Sequence, residues 1–218
     1  MADRPPRQPR PDEVAPEERE DYDAVIRRMR GMFGAGEGDP DEFFDVGEYF
    51  GALLTSPPMC AIATRMGTFV RTAGERSNTY THAQREFVDQ VLSADWRTNV
   101  VQQLHIPDAV GAGVRLEAIK ALRYGHEEEL NDEERLLTSY IRKVVGGTVD
   151  DEIWDRMVEL MGVRGVVEYT GFILWLQWII RMMQTLNTSN PSEEEIDRVI
   201  RELEGGGTAG QDYAARLR

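Results

Sequence analysis

The chain has 218 residues, with 39 Asp and Glu against 25 Lys and Arg, giving a formal net charge of −14. That length suits one sizeable core, and an acidic surface repels phosphate backbones, which argues against a nucleic-acid partner. The lone cysteine, Cys60, excludes an internal disulfide and a CxxC redox pair.

Residues 1–15 are rich in Pro, Arg and Glu and carry no apolar run, which predicts a disordered tail and no secretory signal. A helix is expected over 16–33, where Pro16 suits a first turn and Tyr22, Val25, Ile26, Met29 and Met32 recur at helical spacing. GAGEGDP at 34–40 reads as a linker. It follows a helix instead of a strand, and its third glycine is misplaced for a dinucleotide fingerprint. Residues 41–56 predict one or two short helices with Phe43, Phe44, Val46, Tyr49, Phe50 and Leu53. Pro57 and Pro58 open another, running to about Ala73, in which Cys60 reads as a small core hydrophobe.

Two helices follow, with a break near Ser93 to Trp96. Thr81 and Gln84 form a capping box before the first. Phe87, Val88, Val91 and Leu92 make its apolar face, and Glu86, Asp89, Gln90 and Ser93 the opposite, polar one. On the second, Trp96, Val100, Val101 and Leu104 make the apolar stripe, with Thr98, Val101 and His105 along one edge. Pro107 is expected to begin a separate short turn. Further helices are expected over 115–123 and from the Asn131–Glu134 cap to Val145. Asp150 caps the next, which buries Ile153, Trp154, Met157, Val158 and Met161, and a mostly apolar helix covers about 164–186. Its uncharged stretch YTGFILWLQWII is too short to cross a bilayer. Asn190, Pro191 and Glu195 start a last amphipathic helix with Ile196, Val199, Ile200 and Leu203, and GGGTAG then reads as a tether. No stretch alternates with period two, so the fold class is all-α, a helical bundle with flexible termini. The division expected is a tail at 1–15, one helical domain at 16–188, and a C-terminal helix and tail at 189–218.

The order Glu86, Thr98, Val101, His105 resembles the signature of the carboxymuconolactone decarboxylase and alkylhydroperoxidase D superfamily. The peroxidase branch has a Glu, a CxxC pair and a His; here Thr98 and Val101 stand at the two cysteine positions. The resemblance continues through IPDAVGAGVRLEAIKALRYG, NDEERLLTSYIRKVV and DDEIWDRMVELMG, over residues 42–188. It implies an alkylhydroperoxidase D-like bundle, assembled as a homo-oligomeric trimer or hexamer, with Glu86 and His105 as the catalytic acid and imidazole. Without a thiolate and a resolving thiol, peroxide reduction is not expected. The decarboxylase branch implies a cofactor-independent lyase acting on a small carboxylated lactone or unsaturated carbonyl compound.

An imidazole titrates near neutral pH, so His105 suits proton transfer, and a nearby carboxylate would orient it. Arg85, Arg97 and Arg181 are candidates to grip a substrate carboxylate by a two-point fork. Trp96 and Tyr80 are candidate walls, and Thr98 and Val101 line the same edge. His126 sits among three glutamates and reads as an exposed loop residue. Two other readings are a catalytically silent oligomeric small-molecule-binding protein, and a metal enzyme using His82, Glu86 and His105. The expected setting is cytoplasmic, with a small-molecule substrate, no membrane and no cofactor.

Overall fold

The computed structural model describes residues 4–39 and 41–206. Among them every regular element is helical: α1 (Arg19–Phe33), α2 (Gly47–Leu53), α3 (Pro57–Ser77), α4 (His82–Trp96), α5 (Asn99–Ala112), α6 (Leu116–Tyr124), α7 (Asp132–Gly146), α8 (Asp151–Leu186) and α9 (Glu193–Glu204). The residues group into two compact units. Among the described residues, one takes the chain as far as Phe69 together with Arg181–Ser189; the other takes Val70–Ile180 and residues 190–206. The expected GGGTAG tether lies mostly outside the described residues, as do the first three residues of the tail.

In the first unit α1 buries Tyr22, Val25, Ile26 and Met29 of the expected stripe, while Met32 is half-buried. It starts at Arg19, after a 3-10 turn at Pro16–Glu18. The Pro-rich segment before it, expected to be disordered, has defined contacts. Gln8 donates to the Phe44 carbonyl at 2.8 Å and accepts from the Val46 amide at 3.1 Å. Tyr22 Oη donates to the Pro9 carbonyl at 3.0 Å. Polar side chains reaching backbone groups, the Arg7–Glu13 ion pair and the burial of a single proline, Pro11, hold this segment, and hydropathy registers little of that. Cys60 is fully buried, and burial pushes its thiol up to about 12, so it carries no thiolate near neutral pH.

In the second unit α4 is central and packs on α5, α6 and α7. Every residue from Arg85 to Ser93 is buried, so the polar face of α4 is interior. α5 departs from expectation as well. It runs through Pro107 to Ala112, because Ile106 and Ala109 are fully buried and continue the helical register past the proline. Leu104, assigned to the apolar stripe, is 52% exposed, and the buried side of α5 is instead Val101, Gln102, Ile106, Asp108 and Ala109. The break expected between residues 161 and 164 is present inside α8, where Gly162 has φ 70°. The last helix is capped by Ser192, not by Asn190: Asn190 accepts from the Val100 amide and donates to the Arg97 carbonyl.

Candidate functional site

The second unit brings Glu86 of α4 and His105 of α5 together. Thr81 and Gln84 cap α4 as expected, with the Thr81 hydroxyl accepting from the Gln84 amide and the Gln84 side chain accepting from the Thr81 amide. α4 ends at Trp96, and Arg97 turns the chain with φ 52°. The Thr98 amide then donates to the Ser93 carbonyl at 3.0 Å. This tight corner returns α5 along α4, and the return places the imidazole against the carboxylate.

Glu86 Oε2 lies 2.8 Å from His105 Nδ1. The carboxylate is fully buried, and the His105 side chain is 17% exposed. Two cations reach the other oxygen of Glu86: Arg85 Nε at 3.1 Å and Arg71 Nη1 at 3.4 Å. Arg71 also donates to Asp89 Oδ1 from Nη2 at 2.7 Å, and the same nitrogen is 3.4 Å from His105 Nε2. Its guanidinium lies over the rings of Phe172 and Trp175, at 5.1 and 5.7 Å from their centroids. Neither Arg71 nor Asp89 was among the residues expected in the site. Asp89 was legible as a residue three positions from Glu86 on one helix face. Arg71 carries no such signal, since it arrives from α3.

Burial works against charge on these groups, and their neighbours outweigh it. For Glu86, burial favours the neutral acid, but His105, Arg71 and Arg85 hold its carboxyl well below the usual carboxylate range. For His105, burial and Arg71 disfavour the imidazolium; Asp89 and Glu86 prevail and raise its pKa. Arg71 is likewise raised by Asp89 and Glu86 against burial. In the neutral imidazole with a proton on Nδ1, that proton goes to Glu86 and Nε2 accepts from Arg71. In the imidazolium, the Nε2 proton has Asp89 Oδ1 at 3.7 Å as its nearest anion.

Other expected residues fall elsewhere. Arg85 is 1% exposed and donates to the Arg71 carbonyl at 2.7 Å, so its fork is engaged within the protein. Arg97 is largely exposed and lies 3.6 Å from Glu193. Trp96 is half-buried at the end of α4. Thr98 caps α5 without a side-chain hydrogen bond to it, and Val101 is buried between Thr98 and His105. Tyr80 is core: it packs edge-on to Tyr169 at 5.2 Å and its hydroxyl reaches the Val70 carbonyl. Arg181 is exposed and bonds Gln184. His126 is exposed, as expected.

The metal-ligand set His82, Glu86, His105 is divided. Among the described residues two triads share Glu86: His82 with Asp108, and His105 with Asp89. The two histidines address opposite oxygens of Glu86, His82 Nε2 standing 3.8 Å from Oε1. In the second triad the Arg71 guanidinium already supplies the positive charge beside Asp89 and Glu86. In the first, His82 Nε2 lies 3.2 Å from Asp108 Oδ1, and both Arg85 and Arg71 already face the shared Glu86 oxygen.

No protein-family model matches the chain, and no curated protein matches it. A solved structure does: the debrominase Bmp8, crystallised as a cysteine-to-alanine variant with 2,3,4-tribromopyrrole. The chain shares its fold. The TM-score is 0.56 with 11% sequence identity, covering 87% of this chain and 94% of that one. At that identity the likeness concerns the arrangement of helices and leaves residue roles to the geometry above.

Proposed function

We propose that this chain is a small-molecule enzyme that works by acid/base chemistry at His105. The observation that carries the reading is the 2.8 Å contact between a fully buried Glu86 and a partly accessible His105. Glu86 fixes the imidazole through Nδ1 and leaves Nε2 to exchange a proton. Arg71 and Asp89 flank Nε2 and set its charge. Support for a small-molecule substrate comes from the shared fold, since Bmp8 is a debrominase bound to a small pyrrole.

The reaction best suited to these groups is a decarboxylation of the kind the sequence resemblance implies. The carbon–carbon bond to the substrate carboxylate breaks, carbon dioxide leaves, and the electron pair passes into a conjugated carbonyl of the substrate. The imidazolium of His105 donates its Nε2 proton to the carbon, and the neutral imidazole recovers a proton from solvent. Proton transfer of this kind contributes about 10²–10⁴-fold. The raised pKa of His105 suits a donor. Thiol peroxidase chemistry does not fit: Thr98 and Val101 bear no thiol, and the Cys60 thiol is pushed up to about 12. Carbon dioxide release from carboxymuconolactone by the wild-type chain and by His105→Gln tests the reading. Turnover that falls a hundredfold or more in the variant supports it; equal turnover removes His105 from the chemistry, and no release by either chain removes the lactone.

A further inference from the structure

Four buried polar side chains between α4 and α5 are not used by the chemistry above. Gln90, Ser93 and Gln102 are fully buried, and Thr98 is 4% exposed. Both amide atoms of Gln90, the Ser93 and Thr98 hydroxyls and Gln102 Nε2 have no hydrogen-bond partner among the described residues. Gln102 Oε1, by contrast, accepts from Arg123 at 2.8 Å.

These residues occupy one seam. Glu86, Gln90 and Ser93 follow one another at four and three residues on α4, and Thr98, Gln102 and His105 do so on α5. The seam is pinned at one end by His105 Nδ1 on Glu86 at 2.8 Å, and at the other by the Thr98 amide on the Ser93 carbonyl at 3.0 Å. With the two helices antiparallel between those points, Gln90 and Gln102 hold corresponding positions part-way along them. A desolvated polar atom without a partner is costly, and native interiors leave few of them. Five in a single seam call for a ligand. The set mixes donors and acceptors and carries no charge. It therefore suits a neutral ligand that both donates and accepts, and water is the smallest such ligand; buried waters commonly bridge about three polar groups.

We propose that the α4–α5 seam binds a row of ordered waters held by Gln90, Ser93, Thr98 and Gln102 and leading to the His105–Glu86 pair. The row solvates the Thr98 end of the seam and offers the buried imidazole a route for proton exchange. The proposal stands on the seam alone and does not depend on the decarboxylase reading.

A crystal structure of the full-length protein, at a resolution that shows solvent, tests it. Water density within hydrogen-bond distance of Ser93 Oγ, Thr98 Oγ1 and the Gln90 amide is the expected result. A dry seam in which those side chains bond one another overturns the proposal. The thermal midpoint of Ser93→Ala gives a second readout, whose sign tells a water-bound hydroxyl from a dry, unpaired one, while the crystal structure tells it from a dry one bonded to a neighbour. If the hydroxyl holds a water, its loss leaves that water short of a partner and the midpoint falls. If the hydroxyl is dry, its removal relieves an unsatisfied group and the midpoint stays or rises, which also overturns the proposal. Gln90→Leu is expected to lower the midpoint for the same reason.

Discussion

Glu86 Oε2 stands 2.8 Å from His105 Nδ1, across nineteen residues of chain and at the meeting of two helices. The carboxylate is fully buried and lies among three cationic or protonatable groups, Arg71, Arg85 and His105. Removing its charge therefore leaves buried positive charge uncompensated. Glu86→Gln keeps the shape and is expected to destabilise the protein by about 3–5 kcal/mol, measured by urea unfolding. The same variant takes away one of the two anions that favour the imidazolium, so the His105 pKa moves down. An NMR titration of His105 reads this directly; an unchanged pKa would contradict the electrostatic account.

Stability should depend on pH through this pair with opposite signs. The His105 pKa is raised above its ordinary 6.5, so its contribution is fully present below that value and is lost as pH rises through the folded pKa. The Glu86 pKa is held below its ordinary 4.5, so its contribution is present above that value and is lost as pH falls through the folded one. In His105→Gln the alkaline loss should vanish. Thermal midpoints of both proteins, taken from about pH 4 to about pH 10, should converge at the alkaline end. A difference that is constant across the range would show that His105 does not titrate as its surroundings require.

Much of this architecture can be read from spacing, and the failures have physical causes. The capping boxes at Thr81 and Asn131 mark two helix starts correctly because the signal is local, a short polar side chain three residues before a glutamine or glutamate. The Glu86–His105 pairing comes from resemblance, since periodicity places Glu86 on a polar face that would ordinarily meet water. That face is interior because α5, α6 and α7 surround α4, a tertiary fact with no local trace. The helix through Pro107 is hidden for a related reason: the proline speaks locally for a break, while the burial of Ile106 and Ala109 settles the matter from a distance. Arg71 is the largest omission. It reads as one more charge among residues of moderate polarity, and only the approach of α3 to α4 gives it a role.

The outer side of α8 leads to a prediction about assembly. Val163, Val167 and Leu174 are 60%, 58% and 45% exposed and lie at spacings of four and seven, on one side of the helix. Gly171 falls within that row, and a methyl added there would meet nothing within 4 Å. An exposed apolar row with a small residue inside it suits the close approach of a second copy. Light scattering should give a mass that is a multiple of the chain's, and Val167→Glu combined with Leu174→Glu should reduce it to one. A monomeric wild-type protein would remove the expectation.

Arg71 is the site's most constrained cation, and its variants separate charge from shape. It spans Asp89 at 2.7 Å and Glu86 at 3.4 Å, reaches His105 Nε2 at 3.4 Å, and lies over the rings of Phe172 and Trp175. An ammonium is a point charge and cannot serve two carboxylates and two ring faces at once. Arg71→Lys should therefore keep the fold and the positive charge while lowering activity. Arg71→Met goes further. It strands Asp89 as a buried unpaired carboxylate, at a cost of about 3–5 kcal/mol. Adding Asp89→Leu removes the stranded charge and should recover much of that loss, because an apolar pair often replaces a buried ion pair at little cost. Urea unfolding of the two single variants and the double variant measures the coupling. Additive losses would mean that the 2.7 Å contact contributes nothing beyond its two side chains.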